Sequence, residues 1–375
     1  MPRIDSEVKI DINPNTKILV LTGYNGSGKS RVISALLESL AMVRNYDYSS
    51  EALDWLMSVM FEKGVELRAL KMSRENIPHS AISTEVAKQL RERSPISTVY
   101  KKVNKFIKSA KNSSLYSSSK NEGEDKVRSF CGATLFGLGD ENEDEFTASI
   151  EVVAYINDRI HFNYERKLED TVLQKGATID HTLLVLMNEF ISSSAVAEVV
   201  TERVEHSVKE LMAEYISFSK KNKRKIDEKR ALDYVSKRVD ADRILKEGED
   251  LFSRNELFAA LNEFFITTKR KLVWRDNTIS LQLNNGVITE WFYFSKGEKA
   301  LLALFLMVYL YRDTSLFLLD EPEVSLHVEW QKMIFPALQT LAPNSQFIVA
   351  THSPFLVMNT GHEQIVNMAK YSADI

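Results

Sequence analysis

Two hydrophobic periods alternate along the chain, and their changeovers mark out its elements. Val8-Lys9-Ile10-Asp11-Ile12 alternates as a strand does, and Asn13-Pro14-Asn15 is a turn signal. Lys17 to Leu21 is a short apolar run that reads as a buried strand. Ser30 to Asn45 carries Val32, Ile33, Leu36, Leu37, Leu40 and Val43 at helical spacing. From Asp47 the pairs Ala52-Leu53, Leu56-Met57 and Met60-Phe61 predict a helix that Gly64 ends, and Val65 to Leu70 predicts a short strand. Thr84 to Arg93 and Thr98 to Lys108 read as short helices. Phe146 to Ile156 alternates as a strand. Asp180 to Phe218 is a long helical segment interrupted at Ser192-Ser193-Ser194, and Ala231 to Phe265 is again helical. Strand character returns at Lys271 to Trp274 and Thr278 to Leu283, with a turn at Asn284-Asn285-Gly286. Then come an apolar helix (Ala300 to Tyr311), a strand (Leu316 to Leu319), a helix from Ser325 and a strand (Gln346 to Ala350). The pattern predicts an α/β protein with a mixed sheet. Its head is split between residues 1–45 and 271–375, and residues 46–270 form a mostly helical insertion lobe with a possible head strand near 146–156.

Composition narrows this picture only slightly. With 375 residues the chain can bury one large or two modest cores, and a net charge of −4 gives no global basic field. Cys131 is the lone cysteine, so an internal disulfide or a cysteine metal cluster is excluded. The N-terminus carries no apolar signal segment, and the run from Ala300 to Tyr311 is too short to span a bilayer. A soluble cytoplasmic protein without a membrane partner is expected. Ser109 to Ser129 is rich in Ser, Asn and Lys and reads as a mobile loop. Gly137 to Glu145 reads as a solvated acidic turn. The pair His161 and Asn163 suggests an HNH nuclease, but no second catalytic histidine lies nearby. Asp240 and Asp242 sit two apart on a helical stretch and so face apart, which argues against a metal. Lys220 to Lys225 is the dense basic run, a candidate contact for DNA or RNA phosphates or simply a solvated face.

The chemistry begins at Gly23-Tyr24-Asn25-Gly26-Ser27-Gly28-Lys29-Ser30, which has the spacing G-x-x-x-x-G-K-[ST] between the predicted strand and helix. Glycines let consecutive backbone N–H groups curl around a phosphate. Asn25, Gly26, Ser27, Gly28, Lys29, Ser30 and Arg31 are therefore candidates to bind ATP, with Lys29 on the β/γ-phosphates and the Ser30 hydroxyl on Mg²⁺. Three further motifs follow late in the chain. Ser295 and Gly297 open the Ala300 helix, where free N–H groups and the helix dipole favour an anion; Ser295 and Glu298 also fit an ordinary capping box. Asp320 and Glu321 end an apolar strand, Asp320 suited to Mg²⁺ and Glu321 to polarising water as general base. His352 lies just past the next buried strand, where ligands of parallel sheets bind, and is the candidate γ-phosphate sensor.

Taken in order, GYNGSGKS, FSKGEK, FLLDEPEVSLHVEWQ and FIVATHSP resemble the ABC-type ATPase branch that includes RecF, SMC and the OLD family. The resemblance is strongest to OLD-like ATPases of bacterial anti-phage systems such as PtuA of Septu and AriA of PARIS. It covers roughly residues 5–45 and 270–360. It implies an ABC-type P-loop NTPase head with a mixed sheet that pairs head to tail with a second copy or joins a higher homo-oligomer. Gly23 to Ser30 of one copy then hold ATP, while Ser295, Gly297 and Glu298 of the other cap it. It also implies slow ATP hydrolysis through Lys29, Glu321 and His352, with Ser30 and Asp320 on Mg²⁺. Lys296 stands where the family's signature has a small residue, and Val328 where proline is common. After the histidine motif the chain runs only from Phe355 to Ile375, too short for the Toprim nuclease domain of OLD proteins, so nuclease activity is not expected in this chain. The resemblance implies a switch that controls a separate nuclease or toxin effector in phage defence. The alternatives are a DNA-binding repair-type ATPase and a slow-turnover ATP-bound scaffold.

Overall fold

The computed structural model describes residues 10, 16–44, 46, 55–61, 64–75, 88–92, 95, 98–99, 101–103, 105, 127–138, 143–164, 178–193, 195–221, 227–237, 255–275, 278–358 and 364–372. In chain order these form β1 (Ile18–Thr22), α1 (Lys29–Val43), β2 (Trp55–Met60), β3 (Glu66–Glu75), β4 (Val127–Phe136) and α2 (Glu143–Ser149). Next come β5 (Val152–Ile156), β6 (Arg159–Phe162), α3 (Ile179–Ser193), α4 (Ala195–Lys221), α5 (Glu228–Ser236) and α6 (Glu256–Ile266). β7 (Lys271–Arg275), β8 (Thr278–Gln282), β9 (Ile288–Glu290) and α7 (Lys296–Leu310) follow. The chain closes with β10 (Leu316–Asp320), α8 (Val328–Leu341), β11 (Gln346–Ala350), α9 (Pro354–Met358), β12 (Ile365–Asn367) and α10 (Ala369–Ser372). Two compact units emerge, residues 1–178 with 311–375, and residues 179–310.

The first unit is built on a six-stranded sheet in the order β12-β1-β11-β10-β5-β6. The first five strands run parallel and β6 pairs antiparallel to β5, so the sheet is mixed as expected. Parallel strands are buried on both faces, which explains why Leu316–Asp320 and Gln346–Ala350 read as nearly continuous apolar runs. One face packs against α1 through Leu19, Leu21, Ile33, Leu37, Ala154 and Leu318. At the edge of this packing Asn163 is fully buried: its side chain donates to Ile150 O at 2.8 Å and accepts from Val152 N at 2.9 Å. That is a structural task, which removes the basis for reading His161 and Asn163 as a nuclease pair.

The antiparallel sheet β2-β3-β4 also belongs to this unit, and over its described part, residues 55–61, it overturns the helix expected across residues 52–61. Trp55, Met57 and Val59 alternate, and this period-two stripe packs toward α1, while the two adjacent members of an apolar pair such as Leu56-Met57 fall on opposite faces of the strand. Residues 127–129 open β4 rather than ending a loop, and the rest of the expected mobile loop, 109–126, lies outside the described residues. The strand expected over 146–156 divides: Glu143–Ser149 is helix, its acidic first turn suited to a helix N-terminus, and the head strand is Val152–Ile156. Of the hairpin strand expected at Val8–Ile12 only Ile10 is described, partly buried against the core of the first unit and not in a strand, and the Asp240/Asp242 pair lies outside the described residues.

The second unit joins α3 to α7 with the antiparallel sheet β7-β8-β9. Its core is aromatic. Phe190 meets Trp274 and Tyr309 at 6.2 and 5.7 Å between ring centroids, and Phe264 meets Phe305 edge-on at 5.1 Å. The long helix expected from Asp180 appears as α3 and α4, which lie on either side of Ser194, a residue outside the described ones. The compact units divide at 178/179 and 310/311, and β2 to β6 pack with α1 and the parallel sheet, whereas the sequence pattern sets the limits of the head at 45/46 and 270/271.

Candidate functional site

Register brings the motifs of the first unit together. β11 lies between β1 and β10, with Leu21 opposite Ala350 and Ala350 opposite Asp320. The ladder continues beyond the strands: Thr351 N donates to Leu21 O at 3.0 Å, and Glu321 N to Ala350 O at 2.8 Å. Three chain segments therefore leave the sheet side by side at its carboxyl end, the place where open α/β sheets bind ligands. They carry the phosphate-binding loop, the Asp320–Glu321 pair and His352.

The loop between β1 and α1 has the geometry phosphate binding needs. Gly26 and Gly28 hold φ of 82° and 94°, and a Cβ built on either meets open space, so it is backbone conformation that calls for glycine there. Gly28 is the N-cap of α1 and supplies no side-chain acceptor, and the first turn of α1 contains no acidic residue. The free N–H groups and positive dipole end of α1 are thus left for an anion. Asn25, Gly26, Ser30 and Arg31 are exposed, while Ser27 and Lys29 are buried.

Lys29 turns back over the loop. Its Nζ donates to Gly23 O at 3.1 Å and Tyr24 O at 3.3 Å, and lies 2.8 Å from His352 Nε2. His352 Nε2 is also 3.2 Å from Glu321 Oε1, so the histidine stands between the lysine and the carboxylate. Ser30 Oγ donates to Asp320 Oδ1 at 2.9 Å, which joins the two expected Mg²⁺ ligands directly. Burial lowers the Lys29 ammonium from its ordinary value, against the pull of Glu321, Asp320 and Glu323. Burial raises the Asp320 carboxyl, opposed by the hydrogen bond from Ser30.

These residues fit a Mg²⁺–nucleotide. A hydroxyl and a carboxylate in contact offer two oxygen ligands, and Mg²⁺ commonly takes few protein ligands and completes its shell with phosphate oxygens and water. Among the described residues no group of three or more His, Cys, Asp or Glu could hold a metal by itself.

Glu321 occupies an unusual backbone state. Its φ is +49°, it is followed by Pro322, and its amide still extends the ladder to β11. Left-handed backbone in a non-glycine residue costs about 1–3 kcal/mol and gathers at functional turns. Sequence reasoning missed Glu323, two residues on. It is buried, and its Oε1 accepts from Thr351 Oγ1, from His352 N at 3.1 Å and from Ser353 N at 3.2 Å. A third acidic residue so near the end of a buried strand was the available signal.

Ser295, Gly297 and Glu298 lie in the second unit, at the start of α7. They form the capping box that spacing suggested: Ser295 N donates to Glu298 Oε2 at 2.7 Å, and Glu298 N to Ser295 Oγ at 3.4 Å. Arg270 also pairs with the Glu298 carboxylate, so Glu298 is committed to holding this turn.

A parallel sheet with a phosphate-binding loop after its first described strand, opposed by paired carboxylates and a histidine, defines a P-loop NTPase. A family model described as "AAA domain, putative AbiEii toxin, Type IV TA system" matches residues 18–359, and the chain belongs to that family. It is 35% identical over 95 residues to the "Retron Vc95 probable ATPase" of Vibrio cholerae, a match covering 22% of this chain and 18% of the relative. It is 37% identical over 82 residues to the "Retron Ec83 probable ATPase" of Escherichia coli, covering 19% of this chain and 15% of the relative. The chain thus spans under a fifth of the length of either relative. A Smc head domain from Pyrococcus furiosus aligns over 92% of this chain and 86% of its own at 17% identity, with a TM-score of 0.37. Among the described residues no helix is long and apolar enough to cross a membrane.

Proposed function

We propose that the chain is an ATP-driven switch that controls a separate effector, a nuclease or a toxin, in bacterial anti-phage defence. The observation that carries the ATPase part is the convergence of Lys29, Ser30, Asp320, Glu321 and His352 at one end of one sheet. Backbone N–H groups of the loop and the start of α1 bind the triphosphate, and Lys29 neutralises its β/γ oxygens. Ser30 and Asp320 hold Mg²⁺, which supplies charge stabilisation to the phosphoryl group when bound. Glu321 accepts the proton of the attacking water, and His352 steadies the γ-phosphate.

Ser295 and Gly297 are assigned to the nucleotide of a second copy, in a head-to-tail pair. Support comes from the position of Ser295 just before α7 and of Gly297 in its first turn, where the positive dipole end of a helix favours an anion. The defence role rests on the resemblance of the four motifs to OLD-like ATPases of anti-phage systems, alongside the likeness to the two retron probable ATPases. The test is the native mass of Glu321→Gln with and without ATP·Mg²⁺, after co-expression with the gene product encoded beside it. The switch reading expects an ATP-dependent species that contains the neighbour. An ATP-dependent pair without it turns attention to DNA, and a mass indifferent to ATP contradicts head-to-tail assembly.

A further inference from the structure

We propose that Glu323 is a positioning residue for ATP hydrolysis, holding the turn that carries His352 in register with Glu321. The inference rests on the reading of His352 as the γ-phosphate contact. Glu323 is 6% exposed, and one of its carboxylate oxygens takes three donors from three consecutive residues: the Thr351 hydroxyl, the His352 amide and the Ser353 amide. Its other oxygen, Oε2, is buried and meets no partner among the described residues. All the hydrogen bonding found for this carboxylate is therefore spent on the His352 turn.

A buried charge is costly unless hydrogen bonds offset it, so a carboxylate here implies a demand on geometry. Amides that donate to a charged acceptor are also held more firmly than those that donate to a neutral one. The turn is anchored a second time through Ser353. Its Oγ donates to Gln331 Oε1 at 2.6 Å and accepts from Phe355 N at 3.1 Å at the start of α9. Gln331 Nε2 in turn donates to Leu326 O at 3.0 Å, and Leu326 N to Glu323 O at 2.9 Å. The turn after β10 and the turn after β11 are thus tied into one closed hydrogen-bonded ring. Glu321 stands on the first and His352 on the second, with 3.2 Å between their side chains. Displacing one turn by an ångström would misplace the histidine, and errors of that size cost about a hundredfold in rate.

The experiment pairs two readouts on the full chain. In steady-state ATP hydrolysis, Glu323→Ala is expected to lower kcat about 30-fold with KM for ATP changed less than about threefold. Glu323→Gln keeps an acceptor oxygen and should recover kcat to within about threefold of wild type. Glu323→Ala added to His352→Ala should cost nothing further, because both act through one group. Hydrogen exchange without nucleotide should show faster exchange across residues 351–356 in Glu323→Ala but not in Glu323→Gln. Unchanged exchange overturns the proposal, as does a full additional loss of kcat in the double variant or a KM effect without a kcat effect. If the wild type hydrolyses no ATP, the ATPase reading fails, and exchange alone decides whether Glu323 holds the turn.

Discussion

Glu321 combines two demands at the residue scale, a left-handed backbone and a side chain within reach of His352. Its neighbour Asp320 shows the cost of such a site. Burial raises the Asp320 carboxyl above its ordinary value, so its charged form opposes folding once pH passes that of an ordinary aspartate. Asp320→Asn should accordingly raise the melting temperature at neutral pH by about 2 °C while abolishing Mg²⁺-dependent hydrolysis. A fall in melting temperature, read by calorimetry, contradicts this. His161 titrates with the opposite sense. Burial first, then Arg159, lowers it from 6.5 to about 4. Between those values the unfolded chain binds a proton that the folded chain does not, so stability is lost as pH falls from 6.5 toward 4, by up to about 3 kcal/mol. Urea titrations should show that slope in wild type and a flatter one in His161→Gln; equal slopes would remove His161 as its source.

At the scale of elements, α1 is held by more than the parallel sheet. Glu38 on α1 is fully buried; it pairs with Lys71 of β3 at 2.7 Å and accepts from Trp55 Nε1 of β2 at 2.9 Å. The helix that begins at Lys29 is thereby tied to the antiparallel sheet beside it. Lys71→Met leaves the Glu38 charge buried and should cost about 3–5 kcal/mol by denaturant unfolding, while Glu38→Gln with Lys71→Met should cost less than Lys71→Met alone. A loss below about 1 kcal/mol for Lys71→Met would mean that the pair does not bear on stability. Nothing in the sequence pairs Glu38 with Lys71, because the contact is set by the tertiary position of β3. The same limit explains the misread β2, whose alternating stripe was outweighed by apolar pairs at helical spacing. The phosphate-binding loop, Asp320–Glu321 and His352 were legible because each follows a short apolar run, and parallel β-strands buried on both faces read that way. Glu323 was not legible in its role, since its three donors come from 28 to 30 residues away.

For the whole molecule, the loop-bearing residues and Ser295 with Gly297 fall in separate compact units of one chain. Replacing Gly297 by Asp at the start of α7 puts a negative charge where an anion is expected, and should abolish any ATP-dependent gain in native mass while leaving ATP affinity within about threefold. Persistence of the larger species would separate Gly297 from the interface. The DNA-handling alternative places Lys220 and Lys221, at the end of α4, on nucleic-acid phosphates. It expects salt-sensitive DNA binding that rises with ATP and weakens when these lysines are neutralised; the switch reading expects no such dependence.

The most direct test of the central claim is single-turnover hydrolysis of ATP·Mg²⁺ by wild type and Glu321→Gln, with nucleotide affinity measured on both. The site described here predicts that both proteins bind ATP with affinities within about threefold, and that Glu321→Gln releases phosphate at least about 100-fold more slowly. Equal rates of phosphate release, or no ATP binding by the wild type, would contradict it.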